Sequence, residues 1–278
     1  MNPRGDSHTE IETLAQEVLS ACETGQMIPV PPSSRPGFDL NAAYALEAKL
    51  QQLRESKGHR AVGRKVGYAN KAMWRILKLE TLLWAHMYDD TVHHHDNNAA
   101  TLMLARTRSL KIEPEIVFGL RQPIVSASLD AIAVLECVDW LALGFEIIDC
   151  PYPDWQFQPS DFVASFGLHA ALAVGEKTHL RPELLPKLVE DLPRFTVRMS
   201  KNDEFIEEGS GKNALRSPAL CLAELGGAIL RRFPEQPLRA GELISTGTLT
   251  AGHSIEKGDC WTAEVRGLVL PPLTLHLV

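Results

Sequence analysis

The 278-residue chain is 45% hydrophobic and 23% charged, enough apolar material for one substantial core, and its formal charge of -7 leaves no clustered basic surface for nucleic acid or an anionic membrane. Five scattered cysteines, an odd count without C-x-x-C spacing, suit reduced thiols in a cytoplasmic protein better than a disulfide framework. Met1 to Glu10 is polar with no signal-like apolar stretch, and no apolar run approaches the ~20 residues that span a bilayer.

In chain order, Ile11, Leu14, Val18 and Leu19 fall at helical spacing and predict a helix over Ile11 to Thr24. Tyr44, Leu46, Leu50 and Leu53 predict a second over Asn41 to Lys57, with Asn41 as N-cap and Gly58 as the stop. Pro31-Pro32-Ser33-Ser34-Arg35-Pro36-Gly37 between them reads as a surface connection. Residues 1–62 thus form an N-terminal helical element, and residues 63–278 a β-rich catalytic domain. In that second part Leu110 to Leu120, Leu143 to Ile148, Phe195 to Ser200, Glu242 to Ser245 and Cys260 to Val278 read as strands. Lys201-Asn202-Asp203-Glu204 is a turn into a further strand that ends at Gly209. Two helices interrupt them, Lys71 to Leu79 and Ser217 to Phe233, the latter with Ser217 as N-cap and Pro218 at its first position. The pattern is α+β with a mixed or antiparallel sheet system.

The most informative segment is Lys111-Ile112-Glu113-Pro114-Glu115-Ile116-Val117-Phe118. Strand alternation puts Glu113 and Glu115 on one face and Ile112 and Ile116 on the other, so two carboxylates inside an apolar strand call for a cation between them. Pro114 cannot donate to a sheet ladder and suggests an edge or a bulge. Leu143-Gly144-Phe145-Glu146-Ile147-Ile148-Asp149 carries a third glutamate in apolar surroundings. Three carboxylates without His or Cys at ligand spacing suit a hard ion, Mg2+ or Mn2+, rather than zinc. By spacing alone, a solvent-facing Glu113/Glu115 pair with Glu146 bound to an arginine remains the open alternative.

With its neighbouring motifs the chain resembles the hydratase/decarboxylase branch of the fumarylacetoacetate hydrolase superfamily. The resemblance rests on Gly63-Arg64-Lys65-Val66-Gly67-Tyr68 with Lys71-Ala72-Met73, on Trp84-Ala85-His86-Met87-Tyr88-Asp89-Asp90, on Glu113-Pro114-Glu115, and on Glu146-Ile147-Ile148-Asp149 with Asp154-Trp155. Gly209-Ser210-Gly211-Lys212-Asn213-Ala214, Ala240-Gly241-Glu242-Leu243-Ile244-Ser245-Thr246-Gly247 and Lys257-Gly258-Asp259 continue it, so that it runs from Ala43 to the C-terminus. The chain departs from that pattern in two places: Ala69-Asn70 replaces a usual Thr-Ser pair, and Val163-Ala164-Ser165-Phe166-Gly167 replaces a usual Ala-Asp-Asn-Ala-Ser stretch. Both places are expected to line the substrate pocket.

The resemblance implies a mixed-sheet, β-roll core behind the helical element, a homo-oligomer, and association with a related decarboxylase or hydratase. It implies Glu113, Glu115 and Glu146 as ligands of Mg2+ or Mn2+, Lys65 and Asp89 as catalytic groups, and Ser245, Thr246 and Gly247 as substrate contacts. Lys65 either holds a carboxylate as a cation or exchanges protons, and the adjacent Asp90 competes with Asp89 for its role. The implied reaction is hydration of a 2-hydroxy-2,4-dienoate to a 4-hydroxy-2-oxo acid through an enolate that the divalent ion stabilises. Decarboxylation of a 4-oxalocrotonate-type diacid is the alternative, followed by acylpyruvate C–C hydrolysis, for which no His–Glu pair is evident, and by a silent partner subunit. His93-His94-His95-Asp96 reads as a polar loop and His169 as a satisfied buried histidine. Trp84, His86 and Trp155 either shape the pocket or pack.

Overall fold

The computed structural model describes residues 3–104 and 108–278, with side chains from residue 10 onward. Its first elements are α1 (Pro3–Thr24) and α2 (Leu40–Ser56). α2 is capped by Asp39 rather than Asn41: the Asp39 carboxylate accepts from the amides of Asn41 and Ala42, satisfying donors that a helix start leaves open. Then follow β1 (Ala61–Gly67), α3 (Lys71–Leu77), β2 (Leu83–Tyr88), β3 (Val92–His94), β4 (Ala99–Leu102), β5 (Leu110–Leu120), α4 (Ala131–Glu136) and β6 (Val138–Asp149). The chain continues with α5 (Pro159–Ala164), β7 (His169–Val174), β8 (Thr178–His179), α6 (Leu185–Asp191), β9 (Thr196–Lys201) and β10 (Glu204–Ser210). α7 (Pro218–Arg232), β11 (Leu243–Ser245), β12 (His253–Ser254), β13 (Cys260–Arg266) and β14 (Leu273–Leu277) complete it.

A nine-stranded mixed sheet runs β2-β1-β11-β5-β6-β7-β3, with β12 beside β5 and β8 beside β6, and it curls into a half-barrel. A second sheet runs β10-β9-β13-β14-β4. The expected Cys260–Val278 strand is therefore two antiparallel strands, and the His93–His95 tract begins inside β3, paired with β7, rather than lying wholly in a loop. Among the described residues, no helix is long and apolar enough to cross a membrane.

Pro114 is not on an edge. β5 pairs with β6 along its whole length, and on its other flank the partner chain leaves the ladder after Ser245 and returns at His253. The Pro114 carbonyl accepts from Leu249 N in that gap, so the ring nitrogen faces the one stretch where no ladder donor is needed.

Alternation divides the curled sheet into two faces. Inward lie Met87, Val117, Ala142, Leu172, Val174 and Leu243, an apolar plug. Outward lie Ile112, Ile116, Phe118, Phe145, Ile147 and Ile244, which share one large cluster with Leu14, Val18, Leu46 and Leu50 of the N-terminal helices. Tyr44 of α2 stacks at a tilt on Trp84, ring centroids 4.6 Å apart. Beside it the buried Glu47 carboxylate accepts from His86 N at 3.0 Å and makes a short contact with His86 Nδ1, tying α2 to the outer face of β2. Trp84 and His86 thus serve packing, on the side of the sheet away from Lys65.

Burial tends to raise the Glu47 pKa, but the His86 and Arg64 charges and the hydrogen bonds outweigh it and hold the carboxyl below its usual value. A depressed carboxyl pKa contributes stability above the unfolded value and loses it as pH falls through the folded one. Glu47→Ala should therefore lower the unfolding free energy by about 3 kcal/mol at neutral pH, with the gap to wild type closing in acid, as read from urea unfolding at a series of pH values.

Candidate metal centre

The plug of apolar side chains fills only part of the half-barrel. Towards one mouth the same inward face carries Lys65 from β1, Ser245 from β11, Glu113 and Glu115 from β5, and Glu146 from β6. Register brings them together: Lys65 pairs with Ser245, Glu113 stands opposite Glu146, and Glu115 stands opposite Gly144. One oxygen from each of the three glutamates lies within 4.8 Å of the others. Like charges directly across a sheet repel, and Lys65 is the compensating cation.

Each carboxylate is held differently. Glu115 Oε2 accepts from Ser245 Oγ at 2.5 Å and from Gly247 N at 2.8 Å, while its buried Oε1 has no partner. Glu146 Oε1 meets His169 Nδ1 at 2.8 Å, and its Oε2 forms an ion pair with Lys65 Nζ at 2.9 Å. Glu113, the least buried of the three, accepts no protein hydrogen bond among the described residues and lines the cavity. Burial first, then the Glu146 charge, pushes Glu115 well above its ordinary pKa. Burial raises Glu113 to about 7 against the opposing pull of Lys65. Burial would also raise Glu146, but Lys65 and His169 outweigh it and hold it low. For Lys65 the burial penalty is overcome by Glu146, Glu113 and Glu115, so the ammonium stays charged.

This donor set fits a hard divalent ion. Its donors are oxygens only, two of the glutamates are fully buried, an unpartnered carboxylate oxygen faces the cluster, and three carboxylates against one ammonium leave two negative charges to balance.

Beside the cluster opens a cavity of about 380 Å3. Ile148, Trp155, Phe157, Phe162 and Leu168 give it an apolar wall, and Asn70, Asn213 and Thr248 add neutral polar groups. Ala69, Asn70 and Gly167 line it, so both stretches expected at the pocket are there. At Gly167, φ is +61° and a Cβ would lie 2.8 Å from Lys65 Cδ, so the absence of a side chain is what admits the lysine. Lys111, two residues before Glu113 on the same face, lies 4.1 Å above the Trp155 ring.

Three expected site residues sit elsewhere or do other work. Asp89 lies on the exposed turn after β2, four residues and roughly 13 Å along the strand from Ala85, the partner of Lys65, and its Oδ1 accepts from Arg60 N. Asp90 pairs with Arg54 on the same turn. Neither carboxylate reaches the cluster, because the antiparallel pairing of β1 and β2 carries them to the opposite end of the barrel. Ser245 is fully buried against Glu115, and Thr246 Oγ1 donates to Ile116 O at 2.8 Å, so of that trio only Gly247 reaches the cavity. Sequence reasoning missed His169 and Thr91 as partners of the cluster; an apolar run around His169 gave no sign of the irregularity in β7 that aims it.

A raised carboxyl pKa contributes stability below the unfolded value and loses it as pH climbs through the folded one. Metal-free protein should therefore lose on the order of 2 kcal/mol between pH 5 and pH 8 on account of Glu113. Lys65→Met should steepen that loss, a comparison that chemical unfolding in chelator at several pH values makes directly.

No family model matches the chain. It is 27% identical over 258 residues to the 2-hydroxyhexa-2,4-dienoate hydratase of Comamonas testosteroni, covering 93% of this chain and 94% of the relative. It is 26% identical over 259 residues to a 4-oxalocrotonate decarboxylase of a Pseudomonas species, covering 93% and 94%. Among solved structures it superposes with TM-score 0.87 on the Pseudomonas putida 4-oxalocrotonate decarboxylase in complex with magnesium and adipate, at 23% identity over 98% of both chains. The Pseudomonas aeruginosa fumarylpyruvate hydrolase with Mn2+ and pyruvate gives 0.59 at 17% identity over 79% of this chain and 89% of that one. A yeast fumarylacetoacetate hydrolase family protein gives 0.54 at 12%, over 77% and 91%. The chain is a homologue of the 2-hydroxydienoate hydratases and 4-oxalocrotonate decarboxylases and has the fold of the fumarylacetoacetate hydrolase family.

Proposed function

We propose that the chain is a divalent-metal-dependent hydro-lyase that adds water to a 2-hydroxy-2,4-dienoate, the enol form of a 2-oxo-4-enoate, to give a 4-hydroxy-2-oxo acid. The observation that carries this reading is the buried trio Glu113, Glu115 and Glu146 beside Lys65, opening on a cavity with an apolar wall. The hydratase relatives support it, as do the named complexes of structural neighbours with magnesium or with Mn2+ and pyruvate, itself a 2-oxo acid. Mg2+ or Mn2+ held by the three glutamates supplies a Lewis acid towards the carboxylate and 2-oxo oxygen of such a substrate.

The chain's own groups do the rest. The Lys65 ammonium, kept protonated by its neighbours, offsets negative charge on the substrate and carries the proton nearest the cluster. Trp155, Phe157 and Phe162 give the unsaturated chain a flat apolar wall, and Asn70, Asn213 and Thr248 supply neutral groups to hold the water that adds at the conjugate carbon. Asp89 takes no part in this scheme. Ser245 and Gly247 contribute by holding Glu115. Homo-oligomeric assembly, pairing with a related decarboxylase or hydratase, and a cytoplasmic location belong to the same proposal.

Lys111 favours a second reading. It lines the cavity roughly 7 Å along the strand from Glu113, with no carboxylate in salt-bridge range among the described residues, a place suited to the far carboxylate of a diacid and hence to decarboxylation.

The test is ultraviolet loss of 2-hydroxypenta-2,4-dienoate by chelator-stripped protein. Added Mg2+ or Mn2+ should restore turnover and yield the 4-hydroxy-2-oxo acid, and Glu115→Gln should cut it beyond the ~100-fold that loss of outer partners costs. Carbon dioxide from a diacid with no water uptake by the monoacid would select the decarboxylase instead. Failure to bind either ion would remove the basis of both readings.

A further inference from the structure

His169 reaches Glu146 only because β7 is irregular. Along that strand Leu172 pairs with Glu146 and points inward, so simple alternation would turn Ala170 in and His169 out. Instead Ala171 pairs with Ile147 and His169 with Ile148, which leaves Ala170 as an extra residue in a β-bulge. The bulge reverses the parity and turns the imidazole inward, the re-aiming that bulges perform beside functional sites.

The ring is then held at both ends. Its side chain is 2% exposed, with Nδ1 2.8 Å from Glu146 Oε1 and Nε2 3.0 Å from Thr91 Oγ1. Thr91 is fixed in turn: its hydroxyl lies 3.1 Å from Tyr88 O, and its carbonyl accepts from Leu172 N at 2.8 Å. The tie therefore runs from the turn after β2, through Thr91 and His169, to one oxygen of Glu146. Glu115 shows the same arrangement by other means, one oxygen engaged by Ser245 and Gly247 and the other free. Among the described residues Glu113 has no such tie.

We infer that His169 is a positioning residue that keeps Glu146 a one-oxygen ligand, and that this tie, backed by Thr91, tunes the centre towards small octahedral ions and against Ca2+. The inference rests on the metal-site reading above. The physical reason is ligand count: Mg2+ and Mn2+ want six ligands in a tight shell, whereas Ca2+ takes six to eight oxygens and readily uses both oxygens of a carboxylate. With Oε1 committed to the imidazole, Glu146 offers only Oε2. A free Glu146 would swing to present both oxygens, at a loss to the small ion and a gain to the large one.

The test is direct binding of Mg2+, Mn2+ and Ca2+ to chelator-stripped wild type, His169→Ala, His169→Asn, Thr91→Val and Glu146→Gln, with folding monitored by circular dichroism and thermal melting. His169→Ala should weaken Mg2+ and Mn2+ binding by ~10- to 100-fold, the range for outer partners of metal ligands, and leave Ca2+ binding unchanged or tighter. His169→Asn, whose amide can donate to Oε1, should recover most of the loss. Thr91→Val should fall between and carries the test if His169→Ala does not fold. Equal losses for all three ions, or none in a folded His169→Ala while Glu146→Gln abolishes binding, would overturn the inference and leave the metal site standing. A wild type that binds no ion would overturn the metal reading, and this inference with it.

Discussion

Three glutamates and Lys65 sit together inside the half-barrel, and the cost of taking them out of water governs the rest of the site. A carboxylate buried alone would take up a proton rather than stay charged, and three together would do so more readily. Lys65 makes the arrangement tolerable, and its position follows from strand pairing: β1 meets β11 in parallel, β11 meets β5, and β5 meets β6. The lysine cannot satisfy all three partners. It holds Glu146 low while Glu113 and Glu115 remain raised. The centre is thus under-compensated by design of its register, and a doubly charged cation is the addition that would balance it.

The same half-barrel explains why the cluster is shielded without being sealed. Below it the plug of Met87, Val117, Leu172 and Leu243 closes the interior with side chains that have no use for water. Above it the cavity has aromatic walls and only a few polar groups. An ion bound between these layers would act in surroundings of low polarity, where its pull on a substrate oxygen is stronger than in bulk water. Stability and reactivity draw on one feature, the inward alternation that on β5 and β6 carries apolar residues such as Val117 and Ala142 at one end and glutamates at the other.

Much of this was legible in the sequence, and what was not failed for identifiable reasons. Glu113, Glu115 and Glu146 stood out because a charged residue in an apolar strand violates its surroundings, and period-two alternation needs no tertiary information. β1 was hard to see because Gly63 and Gly67 dilute its β-character, and the structure shows the need for one of them: a Cβ on Gly63 would lie 1.9 Å from Leu243 O. Asp89 was implied by the family resemblance of the Trp84–Asp90 segment, whereas antiparallel pairing of β1 and β2 sends it and Lys65 to opposite ends. His169 was read correctly as a satisfied buried histidine, but its partner was hidden because a one-residue bulge leaves no mark in composition. Pro114 signalled a broken ladder without saying that the break lay mid-sheet.

Among the described residues the fold carries two buried His–Glu pairs, and the face each occupies decides what it does. Glu47 and His86 lie outward, behind β2, where they anchor α2. Glu146 and His169 lie inward, one of them in the carboxylate cluster. C–C bond hydrolysis needs a base able to activate water within the substrate cavity, and the outward pair is separated from that cavity by the sheet itself. The inward pair is committed to holding a ligand oxygen. Apart from Glu113, which the metal reading commits to the ion, the cavity offers water Lys65, Lys111, two asparagines and a threonine, groups that orient water and supply a proton but do not turn it into hydroxide. That inventory suits addition to an alkene already polarised by its conjugated carbonyl, where a modest nucleophile suffices, and it is this match between weak water activation and a strongly polarised substrate that favours hydration over hydrolysis.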